Sequence, residues 1–544
     1  MMGGLRLSMA WLHTWSGLLV GWILFLVFAG GTASYFRDEI TLWMKPELHR
    51  AAPAQVTQAA AADRAQQVMA QRAPGSPRWY LALPDERNPA VKADWIPARP
   101  PAVKGAGAKS ADKPAEQPKK RTRRAFGSAT IDPATGADLG KVRDTRGGDF
   151  FFRLHFDLHY MSALWGRWIV GFCSMSMLVA ILSGIVTHKR IFKDFFTFRP
   201  GKGQRSWLDA HNATAVLALP YHLMITYTGL VTLMFMYLPS GVNSVYPERS
   251  AAFYQDLNGG PGDVKPAGVA APLAPLGSLV ERASSAWDGA AVGRIVVNLP
   301  GDANATVTLT QQEGHGLSHD LPSITFNGVT GAMLTDPGKQ SGAAVQTRGV
   351  MYGLHVGRFA DPLVRALFFL SGLAGCAMVA TGVIMWAVKE RPKHNKKHGK
   401  GKIGFGLRLV DGLNLGSIAG LMLAMPVFFW ANRLLPTVMP QRPEAEIAWF
   451  FIAWGVAFAA ALAWPARPMW RLQLGLGGAL FALVPVLNAA TGGAGLATSL
   501  AGGIWAIAGF DLVCLGLGLM LLYAAARLRM APAVRKLPLA GSAA

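Results

Sequence analysis

The chain is poor in cysteine and in charge. Cys173, Cys376 and Cys514 are its three cysteines, with no CxxC pair among them. Neither a disulfide framework nor a thiolate metal motif is readable, and each cysteine falls inside an apolar run, as a small buried residue would. Charged residues make up 15% of the 544, against roughly 25% in soluble domains. Acids are scarcest, 31 Asp and Glu against 53 Lys and Arg, a formal charge of +22. That excess invites a nucleic-acid reading. The basic residues instead sit beside apolar runs and form no recognition helix, zinc-finger spacing or aromatic-interleaved patch, so no nucleic-acid partner is expected. A dinucleotide fold is missing too. GKGQR lacks the phosphate-binding pattern, and no Rossmann repeat surrounds it.

Long apolar runs are what the sequence has instead. Crossing a bilayer takes about 20 apolar residues in helix, and eight stretches qualify: 9–36, 164–187, 213–238, 363–388, 411–431, 446–464, 472–488 and 501–525. The first is too long for a secretory signal and reads as a retained anchor. Residues 189–205 carry six Lys and Arg and residues 389–408 carry eight, an excess that keeps short flanks cytoplasmic. Both termini are then expected inside, with residues 37–158 and 239–354 exported. Residues 98–125 read as a disordered basic insertion. Around it, a helix near 55–73 and strands near 79–84 and 91–97 are matched by a helix at 276–289 and strands at 293–299, 304–311 and 322–328. Gly136 and Gly331 would supply a tight turn after each closing strand. The expected fold is an all-α polytopic membrane bundle of about eight helices with two small exported α+β domains. A basic linker at 391–410 leads to four further spans over 411–530 and a tail at 531–544.

The histidines expose an internal repeat. His13 lies 18 residues before Gly31, and His211 lies 18 before Gly229. From His13 to His159 is 146 residues and from His211 to His355 is 144; Gly136 to His159 is 23 and Gly331 to His355 is 24. Each unit runs span, exported domain, returning span, so the copies are related by an axis along the membrane normal. Three readings of these intramembrane histidines stand side by side. They cap helices or meet interfacial water and headgroups; they build a non-haem metal site or transport path, which would usually enlist carboxylates or thiolates; or they ligate haem in pairs. In the third reading the repeat pairs His13 with His211 and His159 with His355. His188 is a rival at the first site and His155 at the second. His222, beyond the bending Pro220, faces the same way as His211 but at mid-membrane. Gly17, Gly30, Gly31, Gly184, Gly229 and Gly382 either make room for a flat macrocycle or serve close helix packing.

LHTWSGLLVGW, LHYMSALWGRWIVG followed by LSGIVTHKRIFKDFF, AHNATAVLALPYHLMITYTG, and LHVGRF followed by ATGVIMW resemble the PepSY-associated transmembrane proteins, often called iron-regulated membrane proteins. The resemblance covers about 1–390. That family includes di-haem reductases of the bacterial inner membrane that reduce ferric siderophores on the periplasmic side. It therefore implies two haem b groups on His13, His211, His159 and His355, and two periplasmic PepSY-like domains. A ferric siderophore or other Fe(III) chelate would be the substrate, with electrons from quinol or a separate protein. His188 departs from the family pattern, where many relatives have tryptophan, and the four spans after residue 410 look like an accessory or partner-binding bundle. In it Trp430, Trp454, Trp470 and Trp505 read as packing and interface residues. Asp511 reads either as a proton or quinone contact or as a bond to a neighbouring helix. Two rival functions remain at this point: an envelope interaction or assembly protein using its PepSY-like domains, and a transporter.

Overall fold

A computed structural model describes residues 2–49, 56–85, 87–98, 126–140, 142–188, 198–247, 252–253, 264–314, 316–335, 342–399 and 403–528. The basic insertion expected at 98–125 lies, beyond Ala98, outside the described residues, as does the tail at 531–544. The chain forms two compact units, one of residues 1–44, 144–223 and 369–544, the other of 45–143 and 224–368.

Six helices are long and apolar enough to cross a membrane: Gly4–Ser34, Ala163–Thr187, Pro362–Lys396, Phe405–Leu434, Arg442–Ala463 and Trp505–Arg527. Two helix pairs, Gln204–Leu217 with Leu219–Thr232, bent by 68°, and Arg467–Ala482 with Val484–Ala490, bent by 41°, pass the same test when each pair is taken as one broken span. Counted so, all eight expected stretches are present. Each break sits at a proline: Pro220 and Pro485 have no N–H to give the carbonyl four residues earlier. The bend at Pro220 matches its expected effect, whereas the bend at Pro485 is unforeseen. The helix of the fourth span continues to His398 and the next begins at Phe405, so most of the basic linker at 391–410 is helical.

The second unit holds one antiparallel sheet of six strands rather than two separate small sheets. Strands β1 (Arg78–Ala82), β2 (Val91–Trp95) and β3 (Gly127–Ile131) come from residues 37–158. Strands β4 (Val292–Asn298), β5 (Thr306–Gln311) and β6 (Ser323–Asn327) come from residues 239–354. Their order is β3-β2-β1-β4-β5-β6. The halves therefore join edge to edge, with Arg78 opposite Asn298 and Ala82 opposite Arg294. Pairing two edges satisfies the rows of N–H and C=O groups that each would otherwise present.

The helices Gln58–Arg72 and Leu276–Ala286, one from each half, share the core beneath this sheet, where Met69 and Leu279 join Leu81, Ile131, Ile295 and Phe326. Side chains cross the seam as well. Gln58 bonds both the amide and the carbonyl of Val292, each at 2.9 Å. Asp63 and Gln66 accept the first-turn amides of Gly277 and Leu276 at 2.7 and 2.8 Å, donors that have no partner inside their own helix. The duplication is visible at the closing turns. Asp132 Oδ1 accepts from Ala134 and Thr135 before Gly136 at φ +74°, and Asn327 Oδ1 accepts from Val329 and Thr330 before Gly331 at φ +70°.

Candidate cofactor site

Two helices that lead back into the apolar spans each carry a histidine near their last turn. Gly148–Asp157 carries His155 and Ala343–Val356 carries His355. His13 and His211 lie within the first and third spans. These four rings are held in one recurring arrangement. His13 Nδ1 donates to the Ala180 carbonyl at 2.7 Å, and His211 Nδ1 to that of Met378 at 2.8 Å. His155 Nδ1 donates to Val27 at 2.7 Å, and His355 Nδ1 to Ile225 at 3.0 Å.

In every case the residue four places after the accepting carbonyl is a glycine that faces the ring. A Cβ built on Gly184 would lie 3.1 Å from His13, and one on Gly382 3.2 Å from His211. On Gly31 it would lie 2.8 Å from His155, and on Gly229 2.8 Å from His355. Residues four apart share a helix face, so carbonyl and glycine form a single slot, the one fixing the ring and the other leaving room for it. The 18-residue spacing from His13 to Gly31 and from His211 to Gly229 now has a cause. The first span, one continuous helix, gives a histidine near one end and a slot about 27 Å further along.

A carbonyl oxygen only accepts. Each Nδ1 therefore carries the ring proton, and Nε2 has the lone pair. Within the first unit the rings of His13 and His211 meet edge to face, with centroids 6.2 Å apart and planes at 70°. The expected His13–His211 pair is thus brought together.

His159 does not share this setting. Its helix ends at Asp157, and Leu158 and Tyr160 adopt φ +46° and +59°. The His159 ring then turns onto Phe451, stacked at 5.4 Å. Burial pushes its pKa below the usual value, Arg146 adds to that, and Glu444 opposes it. His155 occupies the slot that matches that of His355. Sequence reasoning placed His159 there because Leu154-His155 and Leu158-His159 both echo Leu354-His355. The signal that separates them is the stop of the helix just short of His159.

His188 caps the second span, its amide bonded to the Gly184 carbonyl at 3.1 Å. His222 is fully buried at the break of the third span, with Nε2 3.3 Å from the Ser371 carbonyl and its ring edge-on to Phe28. Gly30 serves close packing against Phe151 and His155, and no atom lies within 4 Å of a Cβ on Gly17. Asp511 accepts from Trp43 Nε1 at 2.8 Å and from Asn488 at 2.9 Å, the neighbour-bond alternative. Trp430 and Trp454 donate to the carbonyls of Leu480 and Gly416.

The model of the PepSY-associated TM region matches residues 10–389. The chain belongs to this family. An uncharacterized protein of Pseudomonas aeruginosa is 25% identical to it over 340 residues, covering 58% of this chain and 80% of that protein. Family membership and the apolar helices together make the chain a multi-pass membrane protein. The matched region contains all four slotted histidines and stops before the last four spans of this family member.

Proposed function

We propose that the chain is a transmembrane di-haem electron carrier that reduces an Fe(III) complex, such as a ferric siderophore, at the periplasmic face of a bacterial inner membrane. The observation that carries this reading is the edge-to-face pair His13 and His211, each with Nδ1 tied to a backbone carbonyl. Metal-ligating histidines characteristically donate their other ring N–H in this way, which fixes both tautomer and ring direction. Two nitrogen donors suit a metal whose remaining ligands come from a macrocycle. His13 and His211, with ring centroids 6.2 Å apart, would be the residues to hold such a group, which would supply one-electron chemistry there.

By the duplication the proposal takes His155, the outer rival of His159, as a ligand, because its ring sits in a carbonyl–glycine slot of the same kind as those of His13, His211 and His355. Bound haem b would supply one-electron redox chemistry. The chain's own residues hold the ring nitrogens in place and surround them with apolar helix, which excludes water and sets the potential. Electrons would enter from quinol or a donor protein at the His13–His211 end. An Fe(III) chelate on the other side accepts one, and its hard oxygen ligands hold the resulting Fe(II) less firmly.

The 68° break in the third span is an observation that favours transport. An optical spectrum of the full-length protein in detergent separates the readings. About two haems per chain, with bands that change on dithionite addition, are expected. A colourless protein after expression with haem supplied overturns the proposal.

A further inference from the structure

The last four spans have no counterpart in the repeat; besides bonding the first and fourth spans through Asn414 and Asp411, they hold the points where the chain leaves and re-enters the first unit. The chain leaves the first unit after Met44 and re-enters at Asp144. Both points are bonded to buried charged residues of the added spans. Arg433, near the end of the fifth span, donates to the Trp43 carbonyl and stacks over the Trp43 ring at 4.1 Å. Arg442, at the start of the sixth, donates to the Asp144 carbonyl at 3.0 Å and pairs with Glu446. Glu446 in turn accepts from the Thr145 hydroxyl at 2.6 Å and from Asn432 at 2.8 Å. Arg442 and Glu446 are almost wholly out of contact with solvent, so these charges rely on the bonds they make.

An aromatic seam continues from the re-entry point to the His155 helix. Phe150 meets Phe428 and Phe450 at 4.7 and 4.9 Å, and Phe151 meets Phe428 and Phe429 at 5.5 and 5.8 Å. Phe151 and His155 are four apart and therefore on one side of that helix.

The second repeat reaches the same end by other means. The segment between β5 and β6 lies on the Ala343–Val356 helix, held by Arg348–Asp320 and Arg358–Glu313 on either side of His355. A Cβ on Gly353 would overlap the Leu317 carbonyl.

We propose that the added spans are a collar that positions His155, doing for the first repeat what the β5–β6 segment does for the second. Arg442, Glu446 and Phe150 are then positioning residues for a ligand they do not touch. The inference deepens the haem reading, and its test has one readout that needs no haem. Phe150→Ala and the paired replacement Arg442→Met with Glu446→Met are made in the full-length chain. The paired change removes both charges together, so no lone buried ion is left.

In each variant, hydrogen–deuterium exchange at 148–157 should accelerate several-fold while 343–356 stays at the wild-type rate. In haem-loaded protein one of the two reduction waves should shift and the other stay. Unchanged exchange at 148–157 in both variants overturns the inference, as does equal acceleration at 343–356. Accelerated exchange confined to 148–157 in a protein that holds no haem would support the collar and sink the proposed function alone.

Discussion

Among single residues, the accepting carbonyl and its glycine carry the account. The slots at Gly31 and Gly229 are tighter than those at Gly184 and Gly382, 2.8 Å against 3.1 and 3.2 Å to the facing ring. Gly31→Ala and Gly229→Ala should push His155 and His355 off their carbonyls, at a cost of about 1–3 kcal/mol typical of overpacking. Gly184→Ala and Gly382→Ala should be milder. Thermal unfolding of the four variants in detergent checks the order, and equal effects at all four would argue against it. Much of this was legible in the sequence: the His-to-Gly spacing of 18 is visible without coordinates. The partner of each glycine was not, because it lies on another helix. The choice between His155 and His159 needed the helix end, and residues four apart on a continuing helix would have shared one face.

At the level of elements, the β5–β6 segment makes attachment of the Ala343–Val356 helix dependent on pH. The His319 ring lies against Tyr352, centroids 4.2 Å apart, and its amide donates to Gly349 at 2.9 Å. Burial lowers its pKa from 6.5 to about 4; Arg358 and Arg348 also lower it, and Asp320 opposes them. The detached segment therefore binds a proton more readily than the docked one. Its contribution is full above about pH 6.5 and is lost as the pH falls toward 4. Exchange at 316–320 should rise between pH 7 and 5 after correction for intrinsic rates, and His319→Leu should flatten that rise. The helices and strands of the two inter-span segments were readable from β-branched content and turn residues. The edge-to-edge seam was not, since β1 and β4 are more than 200 residues apart in sequence and no local pattern names a partner across that distance.

For the molecule as a whole, the shared sheet implies that the segments 37–158 and 239–354 stand or fall together. Leu81 and Ile295 are register partners across the seam, both fully buried. Leu81→Ala should cost about 2–5 kcal/mol and raise exchange in β4 and β5 as well as in β1 and β2. A rise confined to the first half would show two independent domains. Eight spans and their duplication were legible because apolar length and histidine spacing are properties of the chain. The role of the added spans was not. It rests on Arg433, Arg442 and Glu446, whose partners at Trp43, Asp144 and Thr145 are some 300 to 390 residues away.

The most direct test of the central claim is the haem content and optical spectrum of five full-length variants, His13→Ala, His155→Ala, His211→Ala, His355→Ala and His159→Ala. Each of the first four should lose one of about two haems and keep the other, and His159→Ala should keep both. Loss of a haem in His159→Ala, with two retained in His155→Ala, would contradict the account.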